Sequence, residues 1–105
     1  MENLFVYGTL LDPKVRQRIF GVSLDGCRDA LPGYKKEEGI VAGTYPGIMP
    51  SDPEWSEVAG LLFSLPSEIL AGVDTYEGNL YYRKTLNLRS GKSAWVYLPA
   101  ENQIR

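Results

Sequence analysis

A chain of 105 residues with 11 basic and 13 acidic side chains and a formal charge of −2 is enough for one compact domain and lacks the basic stripe that a phosphate backbone requires. It contains no histidine and a single cysteine, Cys27. Ser-His-Asp and Cys-His nucleophiles, a Cys/His zinc site and an intrachain disulfide are therefore excluded, which leaves carboxylates, hydroxyls, amines and backbone groups for any chemistry.

Asn3 to Tyr7 is an apolar and aromatic run of the kind found in a buried strand, and it stops at Gly8. Asp12 followed by Pro13 gives a helix N-cap and a favoured first-turn proline; Val15 and Ile19 lie one turn apart, and Gly21 closes the segment. The connection Gly8-Thr9-Leu10 between this strand and helix has two readings. Either its backbone N–H groups face a cleft and bind an anion, or the glycine only permits the turn.

From Cys27 to Pro50 the glycines and prolines separate segments of a few residues, which predicts short strands and tight turns. Cys27 reads as a small core residue, since neither a helix end nor a base marks it for reactivity. The mixed-sign run Lys35 to Glu38 is a solvated edge, and Tyr45-Pro46-Gly47 suits a strand corner or a pocket wall. Ser51 to Glu57 reads as a surface loop. Val58 to Leu65 is the most apolar run and predicts a central strand, with Gly60 allowing a bend or a close approach.

Pro66 opens a helix over Ser67 to Glu77, with Gly72 as a costly interior glycine that permits tight packing against the sheet. At about 100° per residue, Glu77 falls between Val73 and Leu70 on the apolar arc. Such a carboxylate is aimed inward, and burial together with a helix C-terminus should raise its pKa toward the range of a proton shuttle. The alternative is that Gly78 ends the helix one residue early and turns Glu77 into solvent.

Leu80 to Arg89 alternates, with Tyr82, Lys84, Leu86 and Leu88 on one face and Tyr81, Arg83, Thr85 and Asn87 on the other. After the turn Ser90-Gly91-Lys92, Ser93 to Leu98 completes a hairpin. Pro99 stops it, and Ala100 to Arg105 reads as a loose polar tail. Six to seven short strands and two short helices without regular alternation predict an α+β domain over residues 1–105, built on a small, strongly bent, mostly antiparallel sheet or barrel. No apolar run approaches the roughly 20 residues of a membrane-spanning helix, and the run ending at Tyr7 is too short for a signal peptide. The expectation is a cytoplasmic monomer without nucleic-acid or membrane partners.

Three pieces then combine: Val6-Tyr7-Gly8-Thr9-Leu10, Tyr45-Pro46-Gly47, and the stretch from Asp74 through Glu77 to Tyr82 and Arg83. In order and spacing, across almost the whole chain, they resemble the gamma-glutamylcyclotransferase-like family, including its AIG2-like and gamma-glutamylamine cyclotransferase branches. VYGTL resembles the family's substrate-binding loop, and DTYEGNLYYR the segment carrying its catalytic glutamate. The resemblance implies release of 5-oxoproline and a free amine from a γ-glutamyl amine or related conjugate, by attack of the substrate's own amino group. It implies Glu77 as general base and then general acid, with neither metal nor cofactor. The N–H groups of Gly8, Thr9 and Leu10 are then candidates to hold the oxyanion or the substrate α-carboxylate. Tyr7, Pro46 and Gly47 are candidate pocket residues, and of Tyr82 and Arg83, on opposite strand faces, one is expected to face the cleft. A non-catalytic small-ligand binding or regulatory domain on the same fold is the alternative.

Overall fold

A computed structural model describes residues 1–104. Within it, strand β1 (Glu2–Val6) leads through a 3-10 turn at Thr9–Leu11 into helix α1 (Pro13–Phe20). Strands β2 (Cys27–Pro32), β3 (Tyr34–Val41), β4 (Tyr45–Pro50) and β5 (Glu57–Leu65) follow. Helix α2 (Ser67–Glu77) and the hairpin of β6 (Tyr81–Asn87) and β7 (Ser93–Pro99) complete the fold. Strands β2-β5-β1-β7-β6 form one sheet, in which β1 and β7 pair in parallel and every other pair is antiparallel; β3 and β4 form a separate ribbon.

The helix ends follow from their sequences. The Asp12 side chain accepts from the Lys14 N–H at 2.9 Å, Pro13 opens α1, and Gly21, at a φ of 74°, caps it in the left-handed conformation. Helix α2 runs to Glu77 and stops at Gly78, whose φ of 63° a residue with a side chain rarely adopts. The helix thus includes Glu77 rather than ending before it.

Strand β1 is buried on both faces, as its unbroken apolar run requires. Leu4 and Val6 face the helices and pack with Phe20, Phe63, Leu70 and Val73. Phe5 and Tyr7 face the opposite way and join Leu31, Ile48, Val58 and Val96. Gly60 belongs to this packing, because a Cβ there would lie 2.2 Å from the Val6 carbonyl oxygen.

The sheet bends until the edge strand β2 meets the turn of the β6–β7 hairpin. There the Arg89 N–H donates to the Ala30 carbonyl at 2.8 Å, and the Ser90 hydroxyl donates to Asp29 at 2.5 Å. No ladder joins β2 to β6 along their length, so the sheet is strongly bent and open rather than a closed barrel. Three local expectations are also corrected. Cys27 is exposed, because it opens an edge strand rather than lying in the core. Gly72 faces the Ile19 carbonyl of α1, not the sheet. The tail is folded back: Glu101–Gln103 is a 3-10 turn, the Ala42 N–H donates to the Gln103 carbonyl at 2.8 Å, and Ile104 bridges to Val41. The loop before β5 is as expected, with Trp55 81% exposed. Among the described residues no helix is long and apolar enough to cross a membrane.

Candidate active site

A cavity of about 190 Å³ opens where β1 ends. Its floor is the chain from Phe5 to Leu10; the end of α2 supplies Tyr76 and Glu77, and Tyr45, Pro46, Tyr81 and Tyr97 close the sides. The 3-10 turn after β1 is held by bonds from the Leu11 N–H to the Gly8 carbonyl and from the Asp12 N–H to the Thr9 carbonyl. Those bonds leave the N–H groups of Gly8, Thr9 and Leu10 unused by the turn, as the geometry of a 3-10 start dictates. Three backbone donors therefore belong to residues that line the cavity.

Among the described residues Glu77 is the one charged side chain that lines the cavity. Its carboxylate accepts no hydrogen bond from the described residues, and burial pushes its pKa up to about 7. The place of Glu77 in the last turn of α2 acts in the same direction. Around it the tyrosine hydroxyls are committed to protein acceptors. Tyr7 donates to the Tyr97 carbonyl, Tyr97 to Asp74 at 2.5 Å and Tyr81 to the Pro46 carbonyl at 2.6 Å, while the Tyr76 and Thr9 hydroxyls share a bond of 2.8 Å. Burial above all, with the nearby charge of Glu77 adding to it, pushes the hydroxyls of Tyr7, Tyr81 and Tyr97 above the usual phenol range. They stay protonated at neutral pH, the range in which the Glu77 carboxyl titrates.

A family model described as gamma-glutamyl cyclotransferase, AIG2-like, matches residues 4–105. The chain belongs to this AIG2-like gamma-glutamyl cyclotransferase family. It is 34% identical over 89 residues to AIG2-like protein A of Arabidopsis thaliana, a match covering 84% of this chain and 52% of that protein. The chain spans about half the length of the curated relatives it matches. Among solved structures, it resembles the solution structure of At5g39720.1 from Arabidopsis thaliana with a TM-score of 0.80 and 28% identity, over 95% of this chain and 69% of that one. A structure titled gamma-glutamyl cyclotransferase superposes with a TM-score of 0.79 at 19% identity, over 99% of this chain and 68% of that one, and so shares the fold.

In this AIG2-like chain the cavity brings together Tyr7, Gly8, Thr9, Leu10, Pro46 and Glu77, and leaves out Gly47, Tyr82 and Arg83. Gly47 is buried against β7, where a Cβ would lie 2.6 Å from the Pro99 ring, so its small size serves packing. Tyr82 points away from the cavity and is 52% exposed. Arg83 shares a strand face with Tyr81, but it lies farther along β6 and is taken by Asp74 of α2, with bonds of 2.8 and 3.1 Å. The same pairing commits Asp74 to Arg83, outside the cavity that Glu77 lines. The β6 residue in the cavity is Tyr81, and Tyr97 is a second wall that the motifs alone did not mark. The one local signal for Tyr97 is a phenol hydroxyl set between the apolar residues Val96 and Leu98 of β7. Among the described residues no group of three His, Cys, Asp or Glu side chains is placed to hold a metal ion.

Proposed function

We propose that this chain is a cyclotransferase releasing 5-oxoproline and a free amine from a γ-glutamyl amine or related conjugate. The observation that carries the reading is the Glu77 carboxyl, half-buried and with a pKa pushed up to about 7, in a cavity that also receives the turn Gly8-Thr9-Leu10. Family membership supports the reaction class.

In the proposed reaction the substrate's α-amino nitrogen attacks its own γ-carbonyl carbon, forming the ring C–N bond. Glu77 takes the proton the nitrogen loses. The carbonyl oxygen becomes negative, and backbone N–H groups of the Gly8–Leu10 turn are the donors available to it or to the α-carboxylate. As the bond to the departing amine breaks, Glu77 returns the proton to that nitrogen and is restored. A carboxyl titrating near neutrality can do both steps, and a five-membered ring closing within one molecule needs no protein nucleophile. The departing amine leaves past Tyr45 and Tyr76, which are 44% and 38% exposed. Among the described residues no Lys or Arg lines the cavity, so amines without a second carboxylate should be the better leaving groups.

The test is incubation with a panel of γ-glutamyl amines, γ-glutamyl dipeptides and glutathione, measuring 5-oxoproline and free amine. The reading predicts the two products in equal amounts from at least one γ-glutamyl amine. A folded protein that releases neither from any panel member contradicts it.

A further inference from the structure

The two-pronged bond between Arg83 and Asp74 joins β6 to the last turns of α2, and the Arg83 guanidinium carbon lies 4.2 Å from the centre of the Trp95 ring in β7. Asp74 also accepts from the Tyr97 hydroxyl, and the Tyr97 carbonyl accepts from Tyr7. One ion pair thus connects α2 to β6, β7 and the chain just after β1. Burial opposes ionisation of Asp74, but the bonds from Arg83 and Tyr97 and the Arg83 charge outweigh it and hold the carboxyl below its ordinary range. Neither Arg83 nor Asp74 lines the cavity.

Their side chains are 28% and 40% exposed, and ion pairs so open to water add little stability. What this pair offers is geometry, because a planar guanidinium held by two oxygens and an aromatic face has one orientation. The last turn of a helix has the fewest bonds of its own and is the place where such a tether matters. Glu77 stands in that turn, three residues after Asp74.

Resting on the cyclotransferase reading of the cavity, we propose that Arg83 is a positioning residue, which acts through Asp74 to hold the last turn of α2, and so the Glu77 carboxylate, against the wall made by Tyr97 and Tyr7. The backbone donors assigned to the substrate lie on a different segment, so loss of the tether reduces the rate more than the binding. The titratable groups that line the cavity with Glu77 are Tyr7, Tyr45, Tyr76, Tyr81 and Tyr97; Tyr7, Tyr81 and Tyr97 stay neutral below pH 8.

The experiment is a carbon-detected NMR titration of the Glu77 carboxyl in the parent, Arg83→Met and Arg83→Lys chains, with steady-state kinetics beside it. In Arg83→Met the Glu77 midpoint should fall from about 7 by about one pH unit as the turn admits water, and kcat should fall about tenfold with little change in KM. Arg83→Lys, a point charge without the fork, should lie between. Loss of the Arg83 charge alone would leave the midpoint unchanged or raise it, so a fall reports lost burial. A midpoint in Arg83→Met that is unchanged or raised overturns the proposal. Should that variant not fold, Arg83→Gln removes the same charge and fork and is read in the same way. A parent chain that releases no 5-oxoproline defeats the cyclotransferase reading, while the titration still decides whether Arg83 places Glu77.

Discussion

The Tyr81 hydroxyl donates to the Pro46 carbonyl at 2.6 Å, joining the five-stranded sheet to the β3–β4 ribbon across the wall of the cavity. In Tyr81→Phe the Pro46 carbonyl loses its donor in a half-buried place, which should lower stability by about 1–2 kcal/mol. Chemical denaturation should show an earlier midpoint with an unchanged slope. Tyr82→Phe, changing a residue outside the cavity, should match the parent within about 0.5 kcal/mol.

Gly60 leaves no room for a side chain, since its Cβ would lie 2.2 Å from the Val6 carbonyl and 2.7 Å from the Phe5 ring. Gly60→Ala must push β5 away from β1 and should cost about 3 kcal/mol. Thermal unfolding checks this, and a variant as stable as the parent would show that the two strands separate easily.

Gly72 is the opposite case. Its Cβ would have the Ile19 carbonyl as nearest neighbour at 3.9 Å, an ordinary contact, within a regular helix. Gly72→Ala should therefore stabilise the protein by about 0.5–1 kcal/mol, by restricting the unfolded chain and favouring the helix. A later denaturation midpoint is the expected result.

Burial of Glu77 also sets a pH dependence of stability. Its pKa is raised from 4.5 to about 7 on folding, so between those values the folded protein keeps a proton that the unfolded chain has released. The stabilisation is fully present below about 4.5 and is lost as pH rises through about 7. It amounts to at most about 3 kcal/mol, less where water reaches the side chain. Glu77→Gln removes this dependence, so its Tm relative to the parent should rise between pH 4.5 and 8. Parallel Tm curves would mean that the carboxyl is solvated.

Features set within one segment were legible in the sequence. The Asp12-Pro13 start and Gly21 stop of α1, and the place of Glu77 on the apolar arc of α2, follow from helix geometry and capping alone. The apolar runs at Asn3 to Tyr7 and Val58 to Leu65 gave the two buried strands. What depends on partners distant in the chain was not legible. The choice of Tyr81 over Tyr82 or Arg83 is made by α2, which covers one face of β6 and supplies Asp74 for the arginine. Gly47 reads as part of a pocket motif only until Pro99 is placed beside it. Cys27 is exposed because β2 is an edge, and strand order is not written in the local pattern. The family resemblance supplied the proposed reaction, and the structure supplied the tyrosines that line the cavity with Glu77.

The most direct test is the pH dependence of 5-oxoproline release by the parent chain beside Glu77→Gln. The account predicts that the parent rate rises through an acid limb with a midpoint near 7, the value to which burial raises Glu77. It also predicts that Glu77→Gln, still folded, loses at least about a hundredfold at every pH. Turnover by Glu77→Gln within about tenfold of the parent, or an acid limb centred at the ordinary glutamate value of 4.5, would contradict it.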